Sequence, residues 1–344
     1  MAKFKTPMFW QKKGLLSYLL WPLSGLYRVG TCVDRFLKQK EQYRPSIPVI
    51  SVGNINVGGS GKTPIVSMLA EHFTEKGYTV AIICRGYGAQ IHTSHQVVKG
   101  DNSTKVGDEP YMLFKQKTAA QVWIGRDRRE SAKNAEKNGA TLIILDDGFQ
   151  HWRLARDVNI VAMGPGGIGN GFVLPAGPLR ELEESLSRAD LVVSLKSQGF
   201  TTPLSHNVQV ERGLNSADVA PLLGRDVFAF CGIGHPQQFY KQLAEAEVKV
   251  VGRKTYPDHY PYNENDLREL VNRASGAQLV TTEKDAVKLS ADFSKRVRVV
   301  RPSFDENSRK EIIAMVEKLL SRAERELKNT QSHGQTNAQN EKGN

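Results

Sequence analysis

The stretch Gly53–Pro64, GNINVGGSGKTP, follows the short β-branched run IPVIS and precedes PIVSMLAEHFTEKG, which has helical periodicity and stops at Gly77. A strand, a glycine-rich turn and a helix in that order are the context in which Gly-Lys-Thr cradles phosphate. Gly58, Gly59 and Gly61 let backbone N–H groups turn inward, Asn56, Val57 and Ser60 complete the loop, and the positive end of the following helix adds attraction. In such a loop Lys62 reaches the β- and γ-phosphates and Thr63 offers a hydroxyl to Mg²⁺. One position departs from the common pattern. Asn56 stands where the first glycine is usual, which argues against the commonest classes of phosphate loop more than against nucleotide binding.

Outward from this loop, apolar runs recur with helical stretches between them: IPVISVG (47–53), TVAIICRG (79–86), AQVWIG (120–125), TLIILDDG (141–148), VNIVAMG (158–164) and DLVVSL (190–195). Continuous apolar strands are buried on both faces, so the spacing predicts an α/β, P-loop NTPase-like, mostly parallel sheet covered by helices. A second series, DVFAFCGIG (226–234), EVKVVGR (247–253), AQLVTTEKD (277–285) and RVRVVRP (296–302), predicts a second, smaller α/β domain after a connector near 197–225. The divisions are 1–45, an N-terminal amphipathic, interfacial segment; 46–216, the phosphate-loop domain; 217–325, a smaller domain closing the cleft; and 326–344, a polar tail read as disordered.

The chain has 344 residues and a net charge of +11, which favours an anionic partner: nucleic acid, a membrane surface or a phosphorylated substrate. Three scattered cysteines, Cys32, Cys84 and Cys231, form no disulfide framework. Residues 1–45 hold nine Lys/Arg against Asp34 and Glu41. The uncharged stretch Gly14–Tyr27, interrupted by Pro22 and Gly25, is shorter than the ~20 apolar residues a bilayer span needs. It reads as a helix lying in the membrane interface, with Trp10, Tyr18, Trp21 and Tyr27 as anchors; the alternative is a helix packed on the protein's own core.

The run LIILDDG ends in Asp146 and Asp147, where a P-loop protein presents acid to Mg²⁺; paired carboxylates at a strand end are also ordinary caps. Two functional classes fit these features, a switch or partition ATPase and a small-molecule or lipid kinase. The switch class carries a signature Lys where Val57 stands.

Eight motifs in order decide between them: VGNINVGGSGKTP (52–64), CRGYG (84–88), VGDEP (106–110), LDDGFQHWRLARD (145–157), LPAGPLRE (174–181), GIGHP (232–236), DHYPY (258–262) and TTEKDAVKL (281–289). Together they resemble the tetraacyldisaccharide 4′-kinase family of lipid A biosynthesis, from about Ile47 to Leu289. The resemblance implies transfer of the γ-phosphate of ATP, with Mg²⁺, to the 4′-hydroxyl of a tetraacylated disaccharide 1-phosphate. It implies an anionic glycolipid substrate and a monotopic protein at the cytoplasmic face of a bacterial inner membrane, with no nucleic acid and no obligate protein partner.

A sugar hydroxyl is a weak nucleophile and benefits from a positioned base. Asp108 and His259, on the two expected domains, are the candidates, and the resemblance points to the same pair. The alternative for Asp108 is an N-cap of the helix YMLFKQK. Catalytic expectations are thus Asp108, His259, Lys62 and Asp147. Metal expectations are Thr63, Glu109, Asp146, Asp147 and Glu181, and substrate expectations are Arg85, Tyr87, Arg129, Gln150, His151 and Arg180. TTEKDAVK reads only as a strand-end polar cluster around Lys284.

Overall fold

The computed structural model describes residues 7–340 except 59, 60, 117, 119, 165 and 196–199, with side chains to residue 329. The expected loop residues Gly59 and Ser60 therefore lie outside the described residues.

The strands are β1 (Val49–Gly53), β2 (Val80–Cys84), β3 (His95–Gln96), β4 (Gln121–Ile124), β5 (Leu142–Asp146), β6 (Val158–Ala162), β7 (Leu191–Leu195) and β8 (Asn207–Val210). They form one sheet in the order β3-β4-β2-β5-β1-β6-β7-β8, parallel throughout except at β3. Every residue of β1, β2 and β5 is buried, which is why these strands read as unbroken apolar runs. The chain moves from β1 to one side of the sheet, returns through β5, and crosses to β6 on the other side. The loops leaving β1 and β5 therefore meet at the switch point, where α/β sheets bind ligands. That meeting is tight. A side chain on Gly53 would come within 2.5 Å of Phe149 Cβ, so the backbone itself lets the two strand ends approach.

Three more strands, β9 (Arg212–Leu214), β10 (Val227–Cys231) and β11 (Val250–Thr255), lead into the smaller domain, and β12 (Gln278–Thr282), β13 (Val297–Val300) and β14 (Pro302–Phe304) complete it. β11-β10-β12-β13 make a second parallel sheet, while β9 and β14 pair antiparallel as a ribbon between the two sheets. β8 and β9 occupy the stretch expected to be a connector. They escape the apolar pattern because each is short and only half covered.

The last helix, Glu306–Asn340, leaves the ribbon and returns to the first sheet. Ile312, Val316 and Leu320, spaced four apart, are buried in the core that also holds β6, β7 and β8. This helix therefore packs on the first sheet although it follows the smaller domain in the chain. The helix is continuous to Asn340, and its tertiary burial extends through Ala323.

At the other end, a single helix runs Leu15–Lys40 through Pro22, which was expected to interrupt it. Its polarity is reversed. The only buried side chains in it are Ser17 and Ser24, while Leu15, Leu19 and Leu26 are 88%, 72% and 71% exposed. Ser24 Oγ donates to the Val173 carbonyl at 2.8 Å and accepts from the Ala176 N–H, and Asn170 Nδ2 donates to Ser17 Oγ. Tyr18 and Trp21 are exposed as expected. Trp10 is not: it is buried with its indole N–H on the Pro175 carbonyl, and Tyr27 packs against the body. No helix among the described residues is long and apolar enough to cross a membrane.

The smaller domain is knitted at one buried carboxylate. Asp285 accepts from the Gly232 N–H, the Tyr262 and Thr282 hydroxyls and the Lys288 ammonium at 2.7–3.0 Å. Asp285 and Lys288 side chains are 0% and 5% exposed. This joins the GIGHP, DHYPY and TTEKD loops. Asp285→Ala should cost about 3–5 kcal/mol in denaturant unfolding, since it strands a buried ammonium. The double variant with Lys288→Met should lose less than Asp285→Ala alone.

Candidate active site

Val52 and Asp146 are register partners on neighbouring strands, so the phosphate loop and the acidic pair leave the sheet side by side. Lys62 begins the helix Lys62–Glu75, behind Gly61 in the left-handed conformation at φ 79°. Lys62 Nζ lies 3.4 Å from Asp147 Oδ1. Arg180 Nη1 donates to both Asp147 oxygens at 3.0–3.1 Å, and Arg128 Nη1 donates to the Asp147 carbonyl at 2.9 Å. Asp147 itself has φ 52°, a left-handed turn that swings it out of the strand.

The two carboxylates are driven apart in acidity. Although burial opposes ionisation, Lys62, Arg180 and Arg128 hold Asp147 well below the usual carboxylate range. Asp146 is fully enclosed, and burial with the nearby charges of Glu109 and Asp147 pushes it up to about 7. Its Oδ1 is buried with no hydrogen-bond partner. Among the described residues no three His, Cys, Asp or Glu side chains group to hold an ion by themselves. Mg²⁺ does not need that, because it commonly takes one or two carboxylates and fills its shell with water and phosphate oxygens. An orphaned buried carboxylate oxygen next to a phosphate loop fits such an ion.

Across the cleft, His259 Nδ1 and Asp108 Oδ2 share a hydrogen bond of 2.9 Å. The N-cap expectation for Asp108 does not hold. Gly107, at φ 94°, caps the helix Asp108–Lys115, and Asp108 is its first residue. Its carboxylate is thereby free to meet the imidazole of the other domain. Tyr87 extends over His259 with ring centroids 6.1 Å apart.

The remaining expected residues divide. Gln150 Nε2 donates to the Asn54 carbonyl and to Glu181 Oε1, and Glu181 is also ion-paired with Arg188 at 2.7 Å. His151 is largely buried and Arg85 is exposed at the end of β2. Asn56 is turned away from the loop, its amide on the Gly167 carbonyl at 3.0 Å. Arg129 pairs with Asp127 at 2.7 Å and Glu41 at 3.5 Å. Its neighbour Arg128, 4% exposed, is the one that enters the site. The signal was available, because the small residues Ser131, Ala132 and Ala135 mark a buried stripe with Arg128 at i, i+3, i+4 and i+7. Arg212 and Lys284 were also missed. A side chain on Gly61 would collide with the Arg212 guanidinium, which the ribbon carries to the loop.

A nucleotide switch needs a phosphate loop, whereas transfer to a hydroxyl also calls for a group able to accept its proton. A phosphotransferase needs both, and that is the class of molecule described here. Comparison with known proteins narrows the class: the chain belongs to the tetraacyldisaccharide-1-P 4′-kinase family, whose profile matches residues 16–321. It is 38% identical over 311 residues to the tetraacyldisaccharide 4′-kinase of Paramagnetospirillum magneticum, covering 88% of this chain and 94% of that one. It is 38% identical over 332 residues to that of Jannaschia sp., covering 92% and 100%. A crystal structure of LpxK from Aquifex aeolicus in complex with ATP superposes with a TM-score of 0.72 at 29% identity, covering 89% of this chain and all of that one.

His151 offers a test of the site's electrostatics. Burial first, then Arg128 and Arg156, push its imidazole down to about 3 from an ordinary 6.5. The unfolded chain therefore binds an extra proton between these values, so this contribution to stability is complete above about pH 6.5 and is lost as pH falls toward 3. Melting temperature should drop more steeply from about pH 7 to pH 5 in the wild type than in His151→Gln.

Proposed function

We infer that this chain, a kinase by family, transfers the γ-phosphate of ATP to the 4′-hydroxyl of a tetraacylated disaccharide 1-phosphate in lipid A biosynthesis. The observation that carries the reading is the 2.9 Å bond between His259 and Asp108 across the cleft from the phosphate loop. The imidazole supports the Asp108 carboxylate, which takes the hydroxyl proton as the sugar oxygen attacks the γ-phosphorus. The bond from that phosphorus to the β-phosphate oxygen breaks, and ADP leaves. Lys62 and Arg180 neutralise charge on the transferring group, and both already sit on Asp147. Thr63, Asp146 and Glu109 are the residues that would hold Mg²⁺. That ion, when bound, neutralises the phosphate oxygens. Tyr87, which lies over His259, and Arg85, exposed after β2, are the residues that would meet the sugar, while Arg128 holds the Asp147 turn and Gln150 joins the Asn54 carbonyl to Glu181.

The glycolipid substrate stays in a bilayer, and the reversed polarity of the N-terminal helix supports docking at that surface. Its outer face presents leucines and Trp21, flanked by the exposed Lys12, Lys13, Arg28 and Lys40 for anionic headgroups. This supports a peripheral position on the cytoplasmic face of the inner membrane.

Incubation of the purified protein with ATP, Mg²⁺ and the tetraacyldisaccharide 1-phosphate in detergent micelles should give a doubly phosphorylated lipid. Steady ATP hydrolysis with no lipid product would instead support a switch ATPase. Asp108→Ala and His259→Ala should each lower kcat by about 10²-fold or more, and the double variant should be little worse than the worse single. Losses that multiply would assign the two residues separate tasks.

Leu19→Asp with Leu26→Asp should move the protein from the membrane to the soluble fraction and lower activity in mixed micelles. Its melting temperature should be unchanged, since both side chains are already exposed.

A further inference from the structure

The His259 ring is held at both of its nitrogens. Nδ1 meets Asp108, and on the far edge the Lys284 ammonium lies 3.3 Å from Nε2. Lys284 also stands 3.5 Å from Glu109 Oε1 and 3.8 Å from Asp258 Oδ1. Its side chain is 23% exposed. Nothing about this arrangement is loose. The next residue is the buried Asp285, and Thr282 Oγ1 caps the turn by accepting from the Asp285 N–H. His259 is fixed as firmly: its backbone has φ 56°, and its N–H reaches Asp258 Oδ1 at 3.0 Å.

We propose that Lys284 is a positioning residue for the phosphoryl transfer, holding His259 in the tautomer that serves Asp108. The inference rests on the assignment of Asp108 and His259 as the proton-accepting pair. An ammonium group has only donors. Its approach to Nε2 therefore requires a lone pair there, and places the proton of the neutral ring on Nδ1. Nδ1–H then donates to Asp108 Oδ2, which leaves the other oxygen of that carboxylate to receive the sugar proton. A ring protonated only at Nε2 turns a bare lone pair toward the Asp108 carboxylate and an N–H toward the Lys284 ammonium at 3.3 Å, which repels it more closely than the Asp258 carboxylate, 3.9 Å from Nε2, attracts it. The hydrogen bond made by one ring nitrogen sets the state of the other. Lys284 thus decides which member of the pair is the base: Asp108, with His259 as its donor.

The contact to Glu109 adds a second tie across the cleft. Asp108 and Glu109 are consecutive, and their partners His259 and Lys284 are neighbours on the smaller domain. The same lysine that orients the imidazole therefore helps to hold the opposing helix start in register with it.

The test uses full-length protein labelled with [¹⁵N]histidine in micelles, with the His259 signals assigned by their loss in His259→Asn. In the neutral ring of the wild type, the proton of His259 should sit on Nδ1. Lys284→Met should shift the population toward Nε2 protonation and lower kcat about 10- to 100-fold, with KM for ATP and lipid each within about twofold. Lys284→Arg, which keeps a cationic donor, should retain the tautomer and most of kcat. A wild-type ring protonated at Nε2, or a Lys284→Met enzyme with unchanged kcat, would overturn the proposal. The wild-type spectrum decides the tautomer even where the Met variant folds poorly. It does so independently of lipid phosphorylation, whose absence in the wild type would count against the kinase reading instead.

Discussion

Two adjacent carboxylates at the end of one buried strand set the terms for the rest of the site. Asp146 and Asp147 close β5 in an environment with little water, where two negative charges cannot coexist without cations. The structure separates them. Asp147 turns out of the strand and collects Lys62, Arg180 and Arg128, while Asp146 stays enclosed with one oxygen unpartnered. Those three cations come from three distant segments: the phosphate loop, the 174–181 loop and the helix Arg128–Lys137. Their convergence is what gives the cleft its shape, and removing the acid would leave each cation repelling the others. The same inequality of acidity leaves one carboxylate paired and the other available to an ion.

That convergence depends on how close the strand ends can come. Gly53 and Gly148 have no room for side chains, since a Cβ on the first would strike Phe149 and one on the second would strike Ser51. The smaller domain solves a parallel problem with a buried ion pair rather than with glycine. Asp285 gathers three loop ends, and those loops carry His259 and Lys284 to the cleft. Desolvating such a pair stabilises little on balance, and its worth lies in fixing loop geometry. The hydrogen bond between Asp108 and His259, which joins the two domains, depends on that geometry on both sides.

The N-terminal helix reverses the usual rule of an apolar face turned inward. Its buried serines face the body and its leucines face out, leaving an apolar outer face of the kind that marks an interaction surface. Ser17 and Ser24 join it to the 170–176 loop, a few residues before Arg180. The exposed apolar face of the helix and the arginine that meets Asp147 are therefore linked through one loop system.

The phosphate loop, the parallel sheet and the two-domain plan were legible in the sequence, because burial on both faces and a glycine-rich turn leave local patterns. Asp108 and His259 were also named, although only the fold placed them 2.9 Å apart. The choice of Arg128 over Arg129 was within reach of helical periodicity, as the small residues of that helix mark its inner side. Other features had no local signature. The return of the last helix to the first core, the short ribbon at 212–214 and 302–304, and the orientation of the first helix depend on what each segment meets. An amphipathic helix reads alike whether its apolar face turns in or out. The partners of Lys284 lie 25 and 175 residues away in the chain, so its chemistry arises only where the two domains meet.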